Sequence, residues 1–244
     1  MKSNLKSGIF SVALGAATIL SFNAFSQAPV ALKTETMSAE ARIKSDAGVD
    51  AKAEEWVKSL SLKDQAKESR LKLVVSTHLK TIRDWHNDHP FSTVPAGINP
   101  ATGNKLSNLD RQVIANSAMP KTVHETLMSG LRKDLTEEQV ELILDKYTIG
   151  KVAFTMNGYK SIVPNLTAVE EAEILKNLKL AREQAIDYKN MEQISAIFEI
   201  YKTKSEQYLN SNGRNWKQMY KDYTNAIKMK KAADAAAAAS KKDK

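Results

Sequence analysis

The chain of 244 residues carries 36 Lys and Arg against 28 Asp and Glu and contains no cysteine, which excludes disulfides and thiolate chemistry. Its formal net charge is +8, of which the first 26 residues contribute +2 and the lysine-rich residues 228–244 contribute +4, so residues 27–227 carry only +2. Nucleic-acid binding needs a basic surface on the folded domain. The nearly neutral body therefore predicts no nucleic-acid partner.

The N-terminal residues have the composition of an export signal. Two lysines precede a mostly apolar run at residues 9–25, and the small side chains of Ala24 and Ser26 fit a signal-peptidase site before Gln27. We therefore predict cleavage near Ser26/Gln27, a mature chain that is periplasmic or secreted, and no membrane span within it. A transmembrane anchor is the alternative, which is disfavoured because small and polar residues interrupt the run.

Composition divides the rest of the chain into three parts. Residues 27–50 are rich in Ala, Thr, Ser, Glu and Lys and predict a flexible leader. Residues 51–227 have the length and apolar content of a single mainly α domain with a sizeable core. Residues 228–244 combine lysines with an alanine run and predict a low-complexity, solvated helical extension.

The first helices of the domain are predicted at residues 51–60 and then after a capping pattern of Ser61 with Asp64. In the second helix, apolar residues recur at spacings of three and four and form one face, which includes His78. A histidine within such a stripe is more often a core residue than a ligand, and we expect a core histidine here.

The end of this second helix concentrates polar chemistry, because His86 and His89 precede the helix-terminating Pro90. Two histidines three residues apart could hold a metal ion. No third ligand is evident, however, and histidines also suit the negative end of a helix dipole. We therefore predict no metal site and no cofactor.

Residues 91–106 carry turn formers at short intervals and show no period. Loops of this length are often functional, although a crossover pinned to the bundle by Val94 and Ile98 is an equal alternative. An exposed indole beside the loop could stack on a sugar ring, while neighbouring polar side chains hydrogen-bond its hydroxyls. The candidate ligand-binding residues are Trp85, His86, His89, Asn99, Asp110 and Arg111.

Capping patterns predict the starts of the later helices. His124 lies in the first turn of one of them, and we expect a surface role for it. The predicted capping residues are Ser107 with Asp110, Thr122 with Glu125, Thr136 with Gln139, Thr167 with Glu170, and Asn215.

Residues 151–163 give the one clear β signal, because Asn157-Gly158 suits a type I′ turn between two mostly apolar runs. This turn would place Val152, Phe154 and Met156 on one apolar face of a hairpin. The predicted fold is thus a helical bundle with one embedded β-hairpin.

Several catalytic motifs are absent from the sequence, including a Gly-rich phosphate loop after a strand, a Gly-x-Ser-x-Gly elbow and a His-Glu-x-x-His pair. Dinucleotide and NTP enzymes are therefore disfavoured. The adjacent acids Glu137-Glu138 and Glu170-Glu171 lie in first helical turns, where the helix dipole already explains them.

Two longer blocks carry a resemblance to a known family. They run from VPAGINPATGNKL at residues 94–106 onward to residue 120, and from YTIGKVAFTMNGYK at residues 147–160 through DYKNME to NGRNW at residues 212–216. Over about residues 53–227 the chain resembles a secreted bacterial family of unknown function. Members of that family are commonly associated with polysaccharide-utilisation gene clusters, so the resemblance implies a glycan setting. It supplies no catalytic residues.

Two functions follow as hypotheses. The first is an exported accessory protein that binds an oligosaccharide or a partner protein of a polysaccharide-degradation system. The alternative is a saccharide-processing hydrolase or lyase in which His86 or His89 serves as the general base. The first is favoured because no catalytic set is recognisable in the sequence, and whether the protein is an enzyme stays open at this point.

Overall fold

The computed structural model describes residues 37–100 and 102–240, with side chains described as far as residue 235. The predicted signal peptide, its cleavage near Ser26/Gln27 and the first part of the predicted leader lie outside the described residues, as do residues 241–244 of the tail.

Over the described residues the chain forms nine α-helices and one short 3-10 helix at Phe91–Thr93, and it contains no β-strand. The mainly α fold predicted from sequence is confirmed. The helices are α1 Ala39–Lys58, α2 Gln65–Asp88, α3 Asn108–Ser117, α4 Lys121–Asp134, α5 Glu137–Thr148, α6 Lys151–Ile162, α7 Ala168–Ala185, α8 Met191–Ser211 and α9 Trp216–Ser240.

Helix α1 begins at Ala39, twelve residues before the start predicted from sequence. The hydroxyl of Ser38 accepts a hydrogen bond from the Ala41 N–H and caps this end of the helix. The first half of α1 has few apolar residues, and charged side chains join it to α2 instead. These ion pairs are Arg42–Asp84 at 2.6 Å, Asp46–Arg83 at 2.6 Å and Asp50–Lys80 at 2.7 Å.

The prediction of an embedded β-hairpin is wrong, because residues 151–162 form helix α6. Val152, Met156 and Tyr159 recur at helical spacing and are all buried, whereas Phe154, which the hairpin would place on the same apolar face, is 77% exposed. Gly158 lies inside the helix and has no left-handed backbone conformation. The helical period thus outweighs the local Asn-Gly turn signal.

The break between elements lies at residues 149–150, eight residues before the turn predicted at Asn157-Gly158. Ile149 and Gly150 both adopt left-handed conformations, with φ of 53° and 64°, and they separate α5 from α6. Glycine adopts this conformation without steric cost, so Gly150 allows one helix to end and the next to begin with almost no loop.

Most of the predicted helix caps are confirmed. Reciprocal capping boxes form at Ser107/Asp110, Thr136/Gln139 and Thr167/Glu170, and the Asn215 side chain accepts from the Gln218 N–H at 3.0 Å. Two starts differ from the predictions. Asp64 itself caps α2, while α4 begins after Pro120, one residue before Thr122.

The apolar residues form two buried clusters. The first joins α1, α2, α4 and α5 and includes Leu71, while the second joins α6, α7 and α8 and includes Phe198. In the turn that follows α7, Ile186 belongs to the first cluster and Tyr188 to the second. Asp187 therefore lies where the two cores meet.

Helix α9 is held to the body by its N-terminal part. The Arg214 guanidinium before it bonds both oxygens of the buried Glu170 carboxylate at 2.9 and 2.8 Å. Trp216 and Met219 pack against the second cluster. None of the helices within the described residues combines the length and apolar character needed to cross a bilayer.

Candidate active site

The aromatic residue predicted to bind a ligand is engaged within the protein. Trp85 is half-buried, and its indole N–H donates to the Ala115 carbonyl at 3.3 Å. One ring face stacks on the His89 imidazole, with ring centres 3.8 Å apart and planes 12° from parallel. Nδ1 of His89 in turn donates to the Trp85 carbonyl at 2.9 Å. Trp85 and His89 are therefore brought together, and their contact closes the end of α2.

The predicted residues on the loop and α3 hold local structure. Asp110 completes the capping box with Ser107. The Arg111 guanidinium donates twice to the Val94 carbonyl, at 2.8 and 2.6 Å, and lies 5.3 Å from the centre of the Phe91 ring. The backbone of Asn99 closes a tight turn, in which its carbonyl accepts from the Gly103 N–H at 2.8 Å.

His86 faces a different neighbour from His89. Its Nδ1 lies 3.3 Å from the Lys189 ammonium, which also donates to Asn87 at 2.8 Å. Burial, together with the positive charge of Lys189, lowers the pKa of His86 below its ordinary value.

None of the six predicted residues lines either of the clefts described below. Among the described residues, no group of three or more His, Cys, Asp or Glu side chains could hold a metal ion.

The structure assembles a different cluster around Asp187. One carboxylate oxygen lies 3.0 Å from Nε2 of His78, and the other lies 2.9 Å from Nδ1 of His124. On its far side, Nδ1 of His78 lies 3.2 Å from the buried Tyr147 hydroxyl. These four side chains come from α2, α4, α5 and the turn after α7.

The hydrogen bonds assign a tautomer to each imidazole. The Asp187 carboxylate accepts, so His78 carries its proton on Nε2 and accepts from the Tyr147 hydroxyl at Nδ1. By the same reasoning His124 carries a proton on Nδ1. His78 is 3% exposed and uses both ring nitrogens within the protein, which confirms the predicted core histidine. His124 is half-buried instead, and its Nε2 is turned to the cleft, 3.7 Å from Glu183 Oε1.

The hydrogen bonds and burial of the cluster shift the pKa values of His124, Asp187 and Tyr147. The Asp187 hydrogen bond raises the pKa of His124 above its ordinary value, and this outweighs the opposing effect of burial. Burial is the largest influence on Asp187 and raises its pKa, but hydrogen bonds from His124 and His78 together bring that pKa below its ordinary value. Burial, with the nearby charge of Asp187, raises the pKa of the Tyr147 hydroxyl well above its ordinary value, so Tyr147 stays a donor.

Local sequence fixes the two ends of the His124–Asp187 contact. Pro120 sets the start of α4 and thereby places His124 in its first turn. Asp187 is anchored by its neighbours, because Ile186 is fully buried and Tyr188 is 7% exposed. The carboxylate is thus held by packing on either side, which limits its freedom to turn away from the imidazoles.

A cleft of about 470 Å³ opens on this cluster between α4 and the end of α7. His124, Asp187 and Glu183 supply ionisable groups to its lining, and Tyr188 and Tyr201 supply aromatic ones. The Tyr201 hydroxyl donates to the Gln184 side chain at 3.1 Å. An imidazole oriented by a carboxylate, with one nitrogen turned to a cleft, can accept or donate a proton there.

Buried amides connect this cleft to the loop that was predicted as the site. Asn116, which lines the cleft, accepts from Gln112 at 3.2 Å and donates to Gln193 at 3.0 Å. Gln112 also accepts from the Phe91 N–H and donates to the His89 carbonyl. The loop therefore reaches the cleft through a chain of hydrogen bonds rather than through its own side chains.

The sequence prediction missed His124 and Asp187 as partners. The sequence predicts a surface role for His124 because it lies in a first helical turn. The available signal was an acid between two core residues, Ile186 and Tyr188, in a short interhelical turn, since an acid in such a place needs a partner.

Comparison with known families shows to which family the chain belongs. Residues 47–229 match the family described as "Protein of unknown function (DUF3826)", and the chain belongs to that family. A search of curated proteins gives no match.

Proposed function

We propose that the protein is a saccharide-processing enzyme, a hydrolase or lyase, in which His124 acts as general acid and base. The observation that carries this proposal is the Asp187–His124 pair in the lining of the cleft, where Nε2 of the imidazole lies 3.7 Å from the Glu183 carboxylate. We assign the role of general base to His124 rather than to the predicted His86 or His89, because His86 contacts Lys189 and His89 stacks on Trp85.

The proton chemistry follows from the tautomer. When neutral, His124 holds its proton on Nδ1 against Asp187 and presents a lone pair at Nε2 to the cleft. When protonated, it presents an N–H at the same position. One side chain can therefore remove a proton from a substrate and return it to a leaving oxygen, while Asp187 fixes the ring and stabilises the imidazolium.

Several features support a saccharide as the substrate class. The cleft combines aromatic rings with amide and carboxylate groups, which is the mixture that a ring with one apolar face and several hydroxyls requires. The glycan setting implied by the family resemblance and the predicted export signal agree with this class.

The test is incubation of the purified protein with a panel of plant and host oligosaccharides, followed by assays for new reducing ends and for unsaturated products. We expect turnover of at least one substrate. His124→Gln should lower kcat by about 10²–10⁴-fold, the usual contribution of a general acid–base group. His86→Gln is the matched control, because His86 lies outside the cleft, and it should leave kcat unchanged.

A second candidate function is saccharide binding without turnover, as the sequence favoured. The observation in its favour is that much of the cleft wall is apolar, with contributions from Met119, Pro120 and Leu180. Saturable binding of an oligosaccharide with no product at long incubation would select this function. Turnover that His124→Gln leaves intact would refute the role of His124.

A further inference from the structure

A second cleft lies between α6, α8 and α9, away from the His124–Asp187 cluster. Its volume is about 680 Å³. It shares no lining residue with the first cleft. The two clefts can therefore be altered independently by substitution.

One wall of the second cleft is aromatic. Trp216 and Tyr220 have ring centres 6.0 Å apart with planes 30° from parallel, and Tyr159 lies 5.2 Å from Trp216. Tyr220 is 50% exposed, so its ring is open to a ligand, while Tyr159 is buried at 2% exposure. Neighbouring rings at shallow angles form a surface on which a flat apolar face can stack.

Two charged groups in this cleft lack a polar partner. Neither the carboxylate of Glu206 nor the ammonium of Lys151 makes a hydrogen bond or ion pair with the described residues, although Lys151 lies 5.4 Å from the centre of the Phe198 ring. Burial raises the pKa of Glu206 and lowers the pKa of Lys151, while the charge of Lys202 opposes the first shift and the charge of Glu199 opposes the second. A ligand that forms hydrogen bonds with these two groups would offset the free-energy cost of burying them without a polar partner.

The formal charges of the lining indicate what kind of ligand fits. Glu199 and Lys202 pair with each other at 2.8 Å, and Glu206 and Lys151 add one charge of each sign. With both signs present in equal number, the cleft selects neither an anion nor a cation. An aromatic surface beside a hydrogen-bond acceptor and a donor instead suits an uncharged ring that carries hydroxyl groups.

We propose that this second cleft binds a neutral saccharide, with one sugar ring stacked on Tyr220 and Trp216 and its hydroxyl groups bonded to Glu206 and Lys151. This site requires no catalysis and does not rest on the function proposed for the first cleft.

Isothermal titration calorimetry on the purified protein tests the site with cellopentaose, xylopentaose and mannopentaose as neutral probes. Trigalacturonate and tetramethylammonium serve as anionic and cationic comparisons. At least one neutral probe should bind saturably, and Tyr220→Ala should weaken that binding about tenfold through loss of the stacked ring. Glu206→Gln keeps an acceptor oxygen and should weaken binding less than Tyr220→Ala.

The matched control is Tyr208→Ala, which removes the same side chain from α8 outside the cleft and should leave the affinity unchanged. All titrations use the His124→Gln background, in which the first cleft should no longer turn the probe over, so failure of the acid–base proposal stays distinguishable from failure of this one. The inference is overturned if no neutral probe binds, if a charged probe binds in their place, or if Tyr220→Ala binds as tightly as Tyr208→Ala.

Discussion

Nδ1 of His124 donates to the Asp187 carboxylate across 2.9 Å, although 63 residues separate them in the chain. The second oxygen of the same carboxylate accepts from His78, so one side chain receives an imidazole N–H at each oxygen. This double acceptance requires two oxygens of the same kind. We therefore expect the His124–Asp187 contact to affect stability as well as catalysis.

Asp187→Asn should destabilise the protein by about 1–3 kcal/mol, because the amide NH₂ would face an imidazole N–H and leave a largely buried donor unpaired. Urea unfolding followed by circular dichroism measures this free energy. Asp88→Asn is the matched control at an exposed position on α2 and should change stability by less than about 0.5 kcal/mol. Equal effects of the two substitutions would contradict the role assigned to Asp187.

The His124–Asp187 pair should make stability fall as pH rises through the raised pKa of His124. Because the folded-state pKa of His124 is raised above its ordinary value of about 6.5, its contribution is complete below that pH and is lost as pH rises through the folded value. The difference in unfolding free energy between the wild type and His124→Gln should therefore be largest in mild acid and shrink toward alkaline pH. Urea titrations at a series of pH values measure it. A difference that grows with pH would refute the assignment.

Catalysis by neutral His124 should show the opposite pH dependence. Because proton removal requires the unprotonated ring, kcat/KM should rise with pH through the raised pKa of His124 and then level off. An NMR titration of the histidine ring protons, assigned with His124→Gln, gives the same pKa independently. A rate profile whose midpoint differs from this pKa would show that another group controls the reaction.

The ion pair at the start of α7 should protect the fold against acid. The Arg214 guanidinium, with the Thr167 backbone N–H, lowers the pKa of the Glu170 carboxyl to about 2. Its contribution to stability is complete above the ordinary value of about 4.5 and is lost as pH falls toward about 2. The stability difference between the wild type and Glu170→Gln should shrink across this window. Glu171→Gln in the same turn removes an exposed ion pair with Lys160 and should have little effect at any pH.

Two glycines in one segment should respond to alanine with opposite signs. Gly158 lies in the interior of α6, and an added Cβ would meet no atom within 4 Å, so Gly158→Ala should stabilise by about 0.5–1 kcal/mol. Gly150 has φ of +64°, where alanine costs about 1–2 kcal/mol. Thermal unfolding of both variants measures the contrast. Destabilisation by Gly158→Ala would show that this position of α6 does not accommodate the added methyl group.

The sequence predicted most helix starts because their signals are local. Ser107, Thr136 and Thr167 cap helices with side chains three residues away, a distance that a sequence pattern displays directly. The hairpin prediction is wrong because a tertiary effect outweighs a local signal. Asn157-Gly158 is a strong local turn signal, but burial of Val152, Met156 and Tyr159 on one face is a tertiary gain that only the helix provides.

The site could not be read from the sequence for a related reason. His78 and Asp187 are 109 residues apart, and nothing local shows that α2 and the turn after α7 meet. The predicted residues did identify a polar region, yet their side chains cap helices and hold the loop. Trp85 is half-buried and stacked on His89, so its indole is not the exposed ring that was expected to stack on a sugar.

The position of Asp187 between Ile186 and Tyr188 also bears on how the protein unfolds. These neighbours belong to separate hydrophobic clusters, and the carboxylate itself bonds side chains of α2 and α4. If either cluster opened alone, it would draw this turn out of the other and strip the imidazoles of their acceptor. We therefore expect the two cores to melt in a single cooperative transition.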